Sequence, residues 1–256
     1  MWAGQSTGKL LNRAFGDRQP VLAVVSAGCF PFWSKLPSID MLGLNDEWIA
    51  KHPPADVGQG WAGHEFGDAG YVLRREPDLV QFSGIAKTGR TGYFRVERDL
   101  ANSPDFQSRY MLVDFESTDP IPAVQALYVR RDSPRIGITR RGGETRVPAM
   151  LFAGFWRSRA SLDADGRLGV IVAHDKPAVM SALALEPGQW RMETEPATDR
   201  LMIGARPAGA TGDFMIIAKS GALPVEPGQR WDVVVAIRSE TDSLRFHEVV
   251  FRRVAP

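Results

Sequence analysis

The stretch from Gly60 to Tyr71, Gly-Trp-Ala-Gly-His-Glu-Phe-Gly-Asp-Ala-Gly-Tyr, concentrates the side chains best suited to chemistry in this chain. Glycines let a backbone approach a ligand closely or take positive φ. Trp61 could stack on the apolar face of a sugar while His64 hydrogen-bonds to it. The same stretch also reads as an ordered surface loop. If the chain were a free-standing enzyme acting on polysaccharide, Glu65 and Asp68 would be the acid and base, because glycoside hydrolysis needs two carboxylates across a sugar-sized gap. With 30 acidic residues in the chain some such pair always exists, so the pair by itself argues little.

Other acids stand beside apolar strands and turns. Asp40 lies within Ile39 to Leu42, which fits a short strand, and Asn45 or Asp46 can cap the helix that carries Trp48, Ile49 and Ala50. Asp78 falls in the turn-prone Glu76-Pro77-Asp78 and reads as a turn residue. The histidines at 52, 64, 174 and 247 are scattered without the spacing of a helical metal site, and Cys29 is the single cysteine. A metal-ligand set, a cysteine-based zinc site and an internal disulfide framework are therefore not expected. Gly4-Gln-Ser-Thr-Gly-Lys9 is one residue short of a phosphate loop and has no strand before it. No Gly-x-Ser-x-Gly nucleophile turn occurs. Neither a catalytic set nor a cofactor site is expected.

The elements that must position these residues fall into two grammars. Leu10, Leu11, Ala14 and Phe15 have helical spacing, stopped by Gly16 and Pro20, and Val21 to Val25 reads as a strand buried on both faces, of the kind found in parallel or mixed sheets. Pro53 and Pro54 end the helix around Trp48. Tyr71 to Leu73 and Leu79 to Phe82 bracket the Glu76-Pro77-Asp78 turn, completing a small α/β segment over residues 1–105. From there short β segments follow one another: 110–115, 126–129, 135–139, 150–156, 168–173, 190–195, 201–205, 214–219, 231–238 and 247–254, separated by Gly, Pro and Asp clusters. Residues 106–256 are thus expected to form an antiparallel β-sandwich, jelly-roll-like, and the whole chain is α+β, mainly β. The sequence Leu185-Glu-Pro-Gly-Gln-Trp190 recurs as Val225-Glu-Pro-Gly-Gln-Arg-Trp231, a pair of turns with Pro at the second position and Gly at the third. Trp156, Trp190 and Trp231 could make a sugar platform, but their aliphatic neighbours point to the core. Asp163-Ala-Asp165-Gly166 reads as a hairpin turn.

A formal charge of +1 gives no bias toward nucleic acid. The longest apolar run, Val21 to Trp33, is too short to span a bilayer, so no membrane span is expected in this chain. The first residues lack the basic start and apolar stretch of a signal peptide, which places any export signal upstream.

Three motifs in order carry a resemblance: Ala27-Gly-Cys-Phe-Pro-Phe-Trp-Ser34; Ile39-Asp-Met-Leu-Gly-Leu-Asn-Asp46 followed by Ile49-Ala50; and Gly63-His-Glu-Phe-Gly-Asp68, with Tyr71 to Leu73 and Pro77-Asp78 after them. Over residues 21–82 the chain resembles the soluble carboxy-terminal region of bacterial GT-C multi-pass membrane glycosyltransferases, of the arabinofuranosyltransferase-like and mannosyltransferase-like kind. The resemblance implies a periplasmic, membrane-tethered cap without catalytic residues of its own, on an enzyme that takes a sugar from a polyprenyl-phosphate carrier. Its partners would be the transmembrane portion of that enzyme and an acceptor glycan. By motif position Asp40, Asn45, Asp46, His64 and Glu65 would face the membrane domain or shape the acceptor entrance. Phe66 stands where relatives often carry a basic residue, so phosphate binding by this loop is not implied. An adhesion module that binds protein through its sheets is the remaining alternative.

Overall fold

A computed structural model describes residues 4–60, 63–83, 92–153, 158–218, 221–239 and 241–254, in two compact units, 1–136 and 137–256. The first unit begins with helix α1 (Gly4–Phe15), then alternates β1 (Leu22–Val24), α2 (Cys29–Ser34), β2 (Ser38–Asp40), α3 (Glu47–Lys51), α4 (Ala69–Arg74) and β3 (Leu79–Val80). It ends with α5 (Arg95–Asn102), α6 (Pro104–Arg109), β4 (Tyr110–Ser117) and β5 (Ala123–Arg130). Its strands lie in the order β2-β1-β3-β5-β4, with β1 parallel to both β2 and β3, and β5 antiparallel to β3 and β4. The unit therefore takes in β4 and β5, which the change of grammar in the sequence had suggested joining to the second half.

Period-2 alternation assigns each strand's faces. Ala23, Val25, Ile39, Met41, Val80 and Phe82 enter one core with Ile49 of α3, Val72 of α4, Val96 and Leu100 of α5 and Phe106 of α6. Phe106 stacks on Tyr110 and Phe82 at centroid distances of 4.5 and 5.8 Å. Leu22, Val24 and Leu79, equally buried, point to the opposite face, and α1 packs there against β4, β5 and α2. A strand enclosed on both sides is what the uninterrupted apolar run Val21 to Val25 requires.

Helix α1 begins earlier than its apolar spacing indicates and absorbs the Gly4-Gln-Ser-Thr-Gly8 segment. Gly4 and Gly8 are one turn apart, and a Cβ on Gly8 would sit 2.7 Å from Trp33 Cβ, while one on Gly4 would sit 3.1 Å from Cys29 Sγ. These two glycines let α2 approach α1. Tyr71 to Leu73 are helical because Asp68 caps α4, its carboxylate accepting the Tyr71 N–H at 2.8 Å.

The amino ends of the parallel strands are held by charge. Asp78, directly before β3, is fully buried, and its carboxylate accepts the Val21 N–H (2.8 Å), Ser133 Oγ (2.7 Å), Arg130 (3.1 Å) and Arg135 (3.2 Å). It is thus the centre of an ion network, not a solvated turn residue. Glu76 extends the network to Arg109 at 2.7 Å and Arg130 at 3.3 Å. The hydrogen bond from Arg109, then the charge of Arg130, hold the Glu76 carboxyl below the usual glutamate range. Because its folded-state pKa lies below its unfolded one, Glu76 stabilises the fold above the unfolded value of about 4.3. That contribution is lost as pH falls through the folded value. Glu76→Gln should therefore flatten the dependence of unfolding free energy on pH in this acid range; an unchanged slope would remove Glu76 from the account.

In the second unit β6 (Thr139–Arg141) and β7 (Glu144–Pro148) form a hairpin whose two connecting residues, Gly142 and Gly143, have φ of 56° and 78°. Both central positions of a type I′ turn need positive φ, hence the Gly-Gly pair. The strands that follow are β8 (Ala160–Leu162), β9 (Leu168–Ala173), β10 (Ala178–Ala184), β11 (Gly188–Glu195), β12 (Leu201–Pro207) and β13 (Met215–Ile217). The last are β14 (Leu223–Val225), β15 (Arg230–Ile237), β16 (Ser243–Phe246) and β17 (Glu248–Arg253). One antiparallel sheet has the order β10-β15-β12-β13, a second β14-β11-β17-β7-β6, and β8, β9 and β16 pair antiparallel. The α+β, mainly β class expected from the sequence is the observed one.

Local departures have local causes. The expected strand over 135–139 begins only at Thr139, because Ser133 Oγ accepts the N–H groups of Arg135 and Ile136 and holds a turn. In the expected strand 150–156, residues Ala149–Phe152 are a buried 3₁₀ turn, and Trp156 lies outside the described residues. Trp190 and Trp231 are buried in different sheets, as core residues. Of the two Glu-Pro-Gly-Gln copies, the second makes the expected turn, Gln229 N–H bonding to Glu226 O at 3.2 Å with Gly228 at φ 76°. In the first, Gly188 has already entered β11 opposite Val225. Asp163 forms the hairpin turn before β9, accepting the N–H groups of Asp165 and Arg167 at 3.0 and 2.8 Å.

Candidate functional site

In the first unit the chain leaves β1 toward β2 on one side, and leaves β3 toward β4 and β5 on the other. Neighbouring parallel strands whose connections diverge leave a crevice outside their carboxyl ends, the usual ligand position in open α/β sheets. Here Val25-Ser-Ala-Gly28 follows β1 and Gln81-Phe-Ser83 follows β3. Between them opens a cleft of about 710 Å³ whose lining includes Ser26, Gly28, His64, Ser83, Phe94 and Gln125.

Two buried side chains shape this cleft. Gln81 stitches the strand ends together, Oε1 accepting the Val25 N–H and Nε2 donating to Phe82 O, both at 3.2 Å. Glu97, fully buried on α5, accepts the N–H of Ser83 and its Oγ (3.0 Å), and the N–H groups of Tyr93 (2.6 Å) and Phe94 (3.0 Å). One carboxylate thereby fixes both Ser83 and Phe94 in the wall. The acceptance from Phe94, the N-cap of α5, is half of a capping box. Phe94 in turn carries the His64 ring stacked on it at 4.9 Å with an 18° interplanar angle. On the far side of that pair lies a second cleft of about 410 Å³, bounded by Asp56, Gln59, Tyr93, Arg95 and Arg98. There the ion pair with Arg95 holds the Asp56 carboxyl below its ordinary range.

The crevice offers a hydroxyl at Ser26, an amide at Gln125, an imidazole at His64 and an aromatic ring at Phe94, with no acidic or basic side chain other than the imidazole among the described lining residues. Such a set exchanges neutral hydrogen bonds with a polyhydroxylated molecule and can stack against an apolar ring face. Among the described lining residues there is no guanidinium or ammonium to bind a phosphate. Among the described residues no three of His, Cys, Asp and Glu gather as a metal-ligand set.

The residues singled out in the sequence divide sharply. Asp40 is buried, its two carboxylate oxygens accepting the N–H groups of Leu42 (3.0 Å) and Asn45 (2.7 Å), so that it folds the Met-Leu-Gly-Leu turn. Asn45 takes part through its backbone. Asp46 caps α3 by accepting the Ile49 N–H at 3.1 Å and also receives the Tyr71 hydroxyl at 3.2 Å, tying α3 to α4. Asp68 caps α4. Glu65 accepts the N–H groups of Gly58 (3.0 Å) and Gly60. Each of these carboxylates is engaged by backbone amides and so defines loop shape. Trp61 lies outside the described residues. His64 alone of the set lines both clefts. Ser26, Gln81, Phe94, Glu97 and Gln125 escaped the sequence reading. Position just past the ends of buried strands would have indicated the first two, and Phe94-Arg-Val-Glu97 has Glu at the third helical position as a capping box does.

Residues 2–145 match the model of a domain of unknown function, DUF8728. The chain belongs to this family. The DUF8728 match takes in the whole first unit with its crevice and runs into the hairpin that opens the second. No curated protein matches the sequence.

Proposed function

We propose that this protein is the non-catalytic, extracytoplasmic part of a membrane glycosyltransferase that uses a polyprenyl-phosphate sugar donor, and that its switch-point crevice holds the acceptor glycan. The observation that carries the binding clause is the composition of the crevice: hydroxyl, amide and imidazole groups beside the rings of Phe30 and Phe94, at the carboxyl ends of β1 and β3. The motif resemblance over residues 21–82 supports the membrane clause. The engagement of Asp40, Asp46, Glu65 and Asp68 with backbone amides suits a module whose reactive carboxylate is supplied by another part of the enzyme. No described helix is long and apolar enough to cross a membrane.

Calorimetric titration of the chain with cell-envelope oligosaccharides tests the binding clause. His64→Ala should weaken binding about tenfold, the effect of losing one or two neutral hydrogen bonds and a ring contact. Absence of binding to any oligosaccharide, or equal affinity of the variant, would remove the crevice from the proposal. The membrane clause is tested separately by whether the native gene product sediments with membranes and is recovered with a glycosyltransferase activity.

A further inference from the structure

The second unit contains a larger cleft, of about 850 Å³, between the ends of β11 and β17 in one sheet and β12 and β13 in the other. Its lining is aliphatic and cationic. Met192, Met202, Ile216 and Ile217 supply a half-exposed apolar floor, and Ile216 leaves 49% of its surface uncovered. Among the described residues no Phe, Tyr or Trp lines it to offer a ring on which a sugar would stack. Unbranched methionines instead adapt to a flexible chain.

Four arginines, at 191, 238, 252 and 253, border the same space against Glu193 and Asp199. Arg252 is satisfied by Glu144 and Glu193, and Arg253 bonds Pro187 O at 2.6 Å. Arg191 and Arg238 are exposed and have no ion-pair partner among the described residues. Moreover Arg191 stands directly opposite Arg252 in the β11–β17 ladder. Glu144 and Glu193 already answer the Arg252 charge, so of this facing pair Arg191 is the one open to an anion. Guanidinium groups favour phosphate, which they can bind bidentately.

From this juxtaposition we infer that the cleft binds an amphiphile, its phosphate head between Arg191 and Arg238 and its aliphatic chain along Met192, Met202, Ile216 and Ile217. The chemistry is shared by a single-chain alkyl phosphate and by a phospholipid of the bilayer.

The test is calorimetric titration of the full chain with monomeric octyl phosphate, with inorganic phosphate as the headgroup alone. Octyl phosphate should bind at least tenfold more tightly than inorganic phosphate. The double variant Arg191→Glu with Arg238→Glu should lose tenfold or more in octyl phosphate affinity, at an unfolding midpoint that confirms the fold. Ile216→Asn, at an exposed position that folding tolerates, should weaken octyl phosphate and leave inorganic phosphate unchanged. Co-sedimentation with phosphatidylglycerol vesicles, lost in the double variant, would assign the amphiphile to the bilayer; octyl phosphate binding without co-sedimentation would assign a single chain. The inference is overturned if octyl phosphate fails to bind, if inorganic phosphate binds equally well, or if the double variant keeps its affinity.

Discussion

Asp78→Ala is expected to lower the unfolding free energy by about 3–5 kcal/mol, the range for breaking a buried ion pair by removing one partner. The side chain is fully buried, and its loss strands four donors at once: Arg130, Arg135, Ser133 Oγ and the Val21 N–H. Arg130 is only 3% exposed and keeps Glu76 at 3.3 Å, so the remaining compensation is partial. Since the Val21 bond secures the entry to β1 against that to β3, the damage should centre on the parallel strands. Urea unfolding reads it as a lower midpoint at unchanged slope. Combining Asp78→Ala with Arg130→Met should recover part of the loss, because an apolar side chain does not need a partner. A single-variant loss below about 1 kcal/mol would mean that the network has no more value than an exposed ion pair.

Glu97→Ala should cost about 3–5 kcal/mol, through leaving buried donors of Ser83, Tyr93 and Phe94 without an acceptor at about 1–3 kcal/mol each, less what water regains. Glu97→Gln should retain part of this, because its Oε1 can still accept from Tyr93 and Phe94 while its NH₂ opposes only the Ser83 N–H. The effect has a second, local readout. Ser83 and Phe94 form the crevice wall through this one carboxylate, so amide exchange at Tyr93 and Phe94 should quicken by more than global destabilisation requires. If those amides kept their protection in Glu97→Ala, the carboxylate would not be what holds the wall.

The two residues illustrate what could be read in advance. Asp78 in Glu-Pro-Asp has the local grammar of a solvated turn, and only the arrival of Arg130, Arg135 and Ser133, more than 50 positions along the chain, turns it into a buried anion. Asp46, by contrast, was legible as a helix cap because cap and amide are three residues apart. Range explains the elements too. Leu168–Ala173 is a strand as read, since alternation and flanking turns suffice. Tyr71–Leu73, whose apolar run carries no periodicity long enough to assign, is helical because Asp68 captures the Tyr71 amide. At Ala182, positive φ (56°) and a register shift in β10 are supported by Asp232 across the sheet, accepting the Ala182 N–H at 3.0 Å, a partner no local pattern announces.

The sequence by itself determined the mainly β class, the twice-buried strand Val21 to Val25, and the burial of Trp190 and Trp231, because apolar periodicity and turn residues act over a few positions. It also marked His64 as a side chain able to meet a ligand. Tertiary structure decided where ligands could sit. The divergence of the chain after β1 and β3 opens a crevice beside His64, and the meeting of β11 and β17 with β12 and β13 gathers arginines around an aliphatic floor. Both depend on contacts between residues far apart in the chain, whose closure is driven by burial of the whole core and is therefore invisible to any short window of sequence.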